Sequence, residues 1–241
     1  MNIYLAAPAN GNHCKDEIAK SPFVLESYYY FQDWEKRLIN DDFLLDSGAF
    51  TFLNSSKNNT NWNEYVKKYA EFINTNDIKL FFELDIDSIV GIKEVERLRY
   101  KLEELTNKRC IPVWHKSRGK EYYLQMVKEY NYVSIGGIVN KEIKPKEYKY
   151  LPWFIRKAHE QGCKVHGLGF TNLRTLGKYS FDSVDSSSWT SGRRFGSIYE
   201  FKNGMLNTHK RKNHRIGDYK RADVHNIREW IKFQHYAKYN L

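Results

Sequence analysis

Short apolar runs alternate along the chain with longer segments in which apolar residues recur every three or four positions. Residues 3–7 (IYLAA), 43–45 (FLL), 80–84 (LFFEL), 110–114 (CIPVW), 132–135 (YVSI), 164–168 (KVHGL) and 180–184 (SFDSV) each suit one buried strand. Helical patterns lie between them. In 63–74, Tyr65, Val66, Tyr69, Phe72 and Ile73 fall on one stripe. Segments 95–105 and 122–130 read the same way, and 152–161 is a further helix with Gly162 placed as its C-terminal cap.

Strands alternating with helices predict right-handed βαβ units and a parallel sheet. Seven or eight such units close into an α/β, TIM-type (β/α)8 barrel, compact or slightly truncated, with an open doubly wound sheet as the competitor. After the seventh strand the pattern changes. Residues 197–201 (SIYEF), a turn at Asn203-Gly204 and a basic stretch precede a long helix over 224–239, which completes the barrel or covers it. The expectation is one domain over 1–241, with a barrel core at 1–200 and a basic C-terminal extension ending in a helix at 201–241.

Composition narrows the function. A chain of 241 residues with 41% hydrophobic content has enough apolar surface for one sizeable core. A net charge of +10 points to a polyanionic partner. That charge is concentrated at 207–221 (NTHKRKNHRIGDYKR), a run that contacts phosphate or stays solvated. Cys14, Cys110 and Cys163 are scattered, without a C-x-x-C pair, which argues against a disulfide framework and an all-cysteine zinc site. No leader-like segment or membrane-length apolar run is present, so a cytoplasmic protein without a membrane partner is expected.

In parallel α/β folds, chemistry gathers at the carboxyl ends of the strands, where loops surround a common crevice. Six predicted strands end in polar groups: Asp46-Ser47-Gly48-Ala49-Phe50, Glu83-Leu84-Asp85-Ile86-Asp87, Trp114-His115-Lys116-Ser117-Arg118, Gly136-Gly137, His166-Gly167-Leu168-Gly169 and Asp182-Ser183-Val184-Asp185. One such ending is an ordinary helix cap. Six in succession predict a site. Carboxylates at one mouth can divide roles, one attacking or stabilising a cationic centre while another moves a proton, as in retaining transfer at a sugar carbon. Glycine pairs let a flat ligand approach the backbone, and Phe50, Trp114 and Trp189 offer stacking faces. Glu83 and Asp87 alternate with Asp85 and are expected to be structural. His115 and His166 are expected to make hydrogen bonds rather than to ligate a metal.

These ordered motifs resemble the tRNA-guanine transglycosylase superfamily, which includes the archaeosine and queuosine enzymes. They are most similar to its short phage-type relatives, which put 7-deazaguanines into DNA. DSGAF from Asp46 is similar to the family's DSGGFQ or DSGSFQ, and ELDI, holding Asp85, to the archaeal ALDI. PVWH occupies the place of PVQG, with Trp114 and His115 replacing the Gln, while Gly136-Gly137 and Gly167-Leu168-Gly169 stand for the family's GG and G-V-G. Laying VDSSSWTSGRRFG on FDCVMPTRNARNG makes Asp185 the nucleophile. Aligning FDS with the archaeal FDSAAYALYA chooses Asp182, and the longer match favours Asp185. The resemblance covers 46–196. The tRNA enzymes' C-x-C-x-x-C zinc site is missing from the sequence, which makes DNA the expected substrate and tRNA the alternative. A non-catalytic nucleic-acid-binding barrel is the alternative from another class.

The resemblance implies exchange of guanine in DNA for a preQ0-like 7-deazaguanine through a covalent glycosyl-aspartate. Asp185 would be the nucleophile, Asp46 the general acid/base, and Asp85 the reader of the Watson–Crick edge. Gly136 and Gly137 would offer amides to the base carbonyl, and Ser47, Ser186 and Ser187 would orient the carboxylates. Gly48, Phe50, Trp114, His115, Gly167 and Gly169 complete the expected base pocket. Phosphates would meet Lys116, Arg118, Arg174, Arg193, Arg194, Lys210, Arg211, Lys212 and Arg215. The free 7-deazaguanine base is the second substrate, and neither cofactor nor metal is expected.

Overall fold

The apolar runs become strands of one parallel sheet in the computed structural model, which describes residues 1–49, 51, 60–170, 172, 175–191, 195–210 and 217–241. The strands are β1 (Asn2–Ala6), β2 (Val24–Ser27), β3 (Leu44–Asp46), β4 (Leu80–Phe81), β5 (Val113–Trp114), β6 (Tyr132–Ile135), β7 (Lys164–Gly167) and β8 (Ser183–Ser186). Their order is β4-β3-β2-β1-β8-β7-β6-β5. Apart from β4 and β5, which stand at the two ends, each strand lies beside its sequence neighbours, β1 lies beside β8, and nothing reverses the progression as in an open doubly wound sheet. A parallel bridge between Phe82 and Ile111 brings the ends of the sheet together, the Ile111 N–H donating to the Phe81 carbonyl at 2.8 Å. The fold is α/β and TIM-like.

Around the strands lie α1 (Lys15–Ile18), α2 (Trp62–Thr75), α3 (Asp87–Val90), α4 (Ile92–Thr106), α5 (Gly119–Glu129), α6 (Leu151–His159) and α7 (Tyr219–Asn240). α2 shows why the sequence makes these helices. The Asn61 side chain accepts from the Glu64 N–H as an N-cap, and Val66, Tyr69, Ala70 and Ile73 bury one stripe against the sheet. The β2 strand is absent from the sequence pattern, because a 3-10 segment (Pro8–Cys14) and the single turn α1 replace a patterned helix before it. The strand read from sequence as the second, ending at Asp46, is therefore the third.

Period-two alternation divides the core. Tyr4, Ala6, Phe23, Leu25, Leu44, Phe82, Ile111 and Val113 fill the inside of the curled sheet, whereas Ile3, Leu5, Leu45, Val133, Val165 and Val184 face the helices. Beyond β8, β9 (Ser197–Lys202) and β10 (Met205–Lys210) form a hairpin whose two-residue turn, Asn203-Gly204, has φ of 53° and 75°. Positive φ at both positions is what a tight hairpin turn of this hand requires. α7 packs against β9 and β1. Its buried Gln234 donates to the carbonyls of Ile3 at 2.7 Å and Phe23 at 2.9 Å and accepts from Ser21, so the tail joins the outer layer behind β1.

Candidate active site

Asp46 and Asp185 reach the mouth through strand alternation. Asp46 lies two residues beyond Leu44 on β3, and Asp185 two beyond Ser183 on β8, so each shares the inward face of its predecessor. Asp85 enters from the segment following β4. The three carboxylates line one cavity of about 240 Å³ with Leu25, His115, Gly137, Val139, Asn140, Leu168 and Gly169. That volume falls just below the range for drug-sized ligands and suits one flat base.

Asp46 Oδ2 accepts from the Gly48 N–H at 3.1 Å. Gly48 has φ +72°, and a Cβ there would lie 2.5 Å from the Tyr29 Cβ, so the sharp turn that returns this amide to the carboxylate needs glycine. Burial, and then the charges of Asp85 and Asp185, raise the Asp46 carboxyl to about 7. An acid in this range exchanges its proton at neutral pH.

Asp85 is held by His115. The His115 Nε2 lies 2.5 Å from Asp85 Oδ1, and its Nδ1 lies 3.0 Å from Glu142 Oε2. Burial alone would push this imidazole down, but the Asp85 hydrogen bond and charge, helped by Asp87 and Glu142, lift it to about 9. At neutral pH both ring nitrogens donate to carboxylates. Gly136 permits the arrangement, since a Cβ there would sit 2.9 Å from the His115 ring.

Asp185 Oδ1 accepts from the Gly169 N–H at 2.5 Å and faces His166 Nε2 at 3.2 Å. The fully buried His166 turns Nδ1 to Ser183 Oγ at 2.6 Å, which meets the Tyr132 hydroxyl at 2.5 Å. A continuous hydrogen-bonded chain thus runs from the Tyr132 hydroxyl through Ser183 and the His166 ring to Asp185. Asp182, three residues earlier, faces outward. Its Oδ2 accepts from the Val165 N–H at 2.7 Å and pairs with His159 at 2.9 Å.

Several expectations need correction. Trp114 and His115 are adjacent at a strand end and cannot face the same way. His115 lines the cavity, while Trp114 donates from Nε1 to the Gly119 carbonyl at 2.8 Å and packs on Tyr123 and Phe154. Arg118 grips no phosphate: its side chain is 1% exposed and is tied to Glu83 and Asp87. Lys116 is exposed and paired with Glu147 at 2.6 Å. Ser47 is buried, its Oγ accepting from the Ala49 N–H, so it braces the loop rather than meeting a ligand. Gly48 likewise acts only through its turn. Gly167 backs onto Phe181 and Phe170, and Gly136 underlies His115, leaving Gly137 and Gly169 as the cavity's glycines. Glu83 is structural as expected, buried between Arg99 and Arg118. Phe50, Arg174, Arg193, Arg194, Arg211, Lys212 and Arg215, and the side chain of Lys210, lie outside the described residues.

Arg118→Ala is therefore expected to cost roughly 3 kcal/mol or more of stability, because it leaves Glu83 and Asp87 without their shared cation. Denaturant unfolding checks the loss.

Among the described residues, Asp85, Asp87 and His115 bring possible ligand atoms within 4.8 Å of one another. Both His115 nitrogens already meet carboxylates and both Asp87 oxygens meet Arg118, so a cation there would have to break ion pairs.

No family model and no curated protein matches the chain. The carboxyl transferase domain from Rhizobium etli pyruvate carboxylase with pyruvate superposes with a TM-score of 0.49 at 15% identity, over 98% of this chain and 46% of that one. A second structure of that domain gives 0.49 at 14% identity, over 100% of this chain and 49% of the other. The chain spans about half the length of these structures. Similarity at this level carries no argument about chemistry.

Proposed function

We propose that this chain is a guanine transglycosylase that exchanges guanine in DNA for a 7-deazaguanine base. The observation that supports the reading is that Asp46, Asp85 and Asp185, the acidic residues of three motifs in family order, line a single base-sized cavity. The net charge of +10 suits a nucleic-acid substrate.

In this mechanism a carboxylate oxygen of Asp185 attacks C1′ of the target deoxyguanosine while the C1′–N9 bond breaks. Asp46, carrying its proton near neutral pH, delivers it to the departing guanine. The deazaguanine then gives its N9 proton to Asp46 and displaces the Asp185 ester, and two displacements retain the sugar configuration. Asp85, with Oδ1 held by His115, presents Oδ2 to the Watson–Crick N–H groups of the base. The Gly137 backbone borders the same cavity. C1′ is inaccessible in a stacked duplex, so the nucleotide must be flipped out or single stranded.

The test is mass spectrometry of nucleosides digested from DNA, and in parallel from tRNA, after incubation with enzyme and a preQ0-like base. A deazaguanine deoxynucleoside is the expected product. A product in tRNA alone would move the substrate to tRNA. No exchange in either polymer would overturn the reading.

A further inference from the structure

A second cavity, of about 420 Å³, lies beside the carboxylate site. Its walls are Trp114, Ile143, Tyr150, Leu151, Trp153 and Phe154. The lining residues come from the end of β5, from the segments following β5 and β6, and from the first turns of α5 and α6. The cavity therefore opens on the same carboxyl side of the sheet as the three aspartates.

Two sequence adjacencies join the sites. Trp114 and Ile143 line the apolar cavity, while their neighbours His115 and Glu142 form the ion-pair chain to Asp85. Alternation at one strand end and one loop thus sends an aromatic and an aliphatic side chain one way and a charged pair the other.

The lining joins two chemistries that meet in a nucleotide. Phe154 and Trp114 pack in a tilted pair with centroids 4.6 Å apart and an interplanar angle of 38°, and Trp153 packs edge-on to Phe154 at 5.0 Å. Tyr150 is 55% exposed at the entrance. Such rings take any base by its π-face. At the rim, the Lys120 ammonium stands 4.2 Å from the Trp153 ring centre, with no carboxylate partner among the described residues. Lys116 is also at the rim but is shared with Glu147. The N-terminal ends of α5 and α6 add partial positive charge on this side.

Resting on the nucleic-acid reading above, we propose that this cavity is a subsite for a second nucleobase. It takes the base of a nucleotide within two positions of the target guanine, stacks it on Trp153 and Tyr150, and holds its phosphate at Lys120. The enzyme would then read a strand with two bases splayed into neighbouring pockets, which requires local single-stranded character. It would also acquire a preference for large, strongly stacking bases at the flanking position.

The test is a binding cycle. Single-stranded oligonucleotides with one guanine are made intact or with an abasic nucleotide one or two positions to either side, and affinity is measured by fluorescence anisotropy. For the wild-type chain, one abasic position should weaken binding by about tenfold or more, the loss expected for a single base–aromatic stack. Trp153→Ala should weaken binding to the intact strand to a similar degree and make that abasic position silent. Trp153 is only partly buried, and circular dichroism verifies that the variant is folded. Lys120→Gln, on the rim, should flatten the salt dependence by about one phosphate contact. Equal wild-type affinity for every oligonucleotide, or full abasic sensitivity in Trp153→Ala, overturns the subsite. Guanine exchange measured on the same intact strand separates the two readings. Exchange without an abasic effect sinks the subsite alone, whereas an abasic effect without exchange supports the subsite and sinks the transglycosylase.

Discussion

Asp185→Ala should abolish a denaturation-resistant protein–DNA adduct and lower base exchange on the order of 10⁴-fold, the scale on which covalent catalysis collapses without its nucleophile. Asp182→Ala should leave the adduct in place. Asp182 immediately precedes β8 and Asp185 lies on it, three residues along, so extended alternation sends them to opposite faces. Asp185 lines the cavity with its Oδ1 at the Gly169 N–H, while Asp182 bonds the Val165 amide and His159 on the outer layer. Loss of Asp182 therefore reads out as stability rather than chemistry. Asp185→Asn controls for folding, because its amide oxygen still accepts from Gly169 and its nitrogen cannot form the ester. Denaturing electrophoresis of enzyme incubated with guanine-containing DNA distinguishes the variants. An adduct at wild-type level in Asp185→Ala, or its disappearance in a folded Asp182→Ala, would remove Asp185 from its proposed role.

The carboxylates were legible in the sequence because each sits at the end of a short apolar run, where a parallel fold must open to solvent. Apolar periodicity also located β1 and β3 through β8 and the main helices. The pattern contains no β2, since the chain passes from β1 to VLES through 3-10 structure and one helical turn, which leave no amphipathic stripe. Partnerships across the sheet were likewise hidden. Arg118 reads as a basic residue in a loop, and only the fold shows that Glu83 points outward to meet it.

The residues that support the site left weaker signals. His166 reads as one polar residue at a strand end. Its meaning comes from register, since β7 places it beside Ser183 of β8, with Asp185 one pleat farther along. Glu142 lies in the polar stretch KEIKPKE, where no spacing separates it from its charged neighbours. The Trp114–His115 pair carries the plainest lesson. A motif aligned as a string assigns both residues to one pocket, whereas a strand end gives each of them a separate one.

Asp46→Asn is expected to slow base exchange by about 10²- to 10⁴-fold, the usual worth of a positioned general acid/base, and to remove a pH dependence centred near 7. With the wild-type chain, adduct formation should fall as pH rises through about 7, because the departing guanine needs the proton that Asp46 then loses. The same residue links activity to stability with the opposite sign. Folded Asp46 keeps its proton up to about 7, whereas in the unfolded chain an aspartate releases it near about 3.9. Between those values the folded chain binds more protons than the unfolded one, so this group's contribution to stability falls as pH rises. Asparagine carries no such penalty. The variant should match the wild type near pH 4, gain on it through neutrality, and stand on the order of 1–3 kcal/mol more stable at pH 8, at about 1.4 kcal/mol per pH unit less a discount for partial exposure. Chemical denaturation at pH 4, 6 and 8 measures the gain, and stopped adduct-formation assays measure the rate. A stability difference that stays flat over this range would mean that Asp46 does not hold its proton at neutral pH, and the acid/base assignment would fall with it.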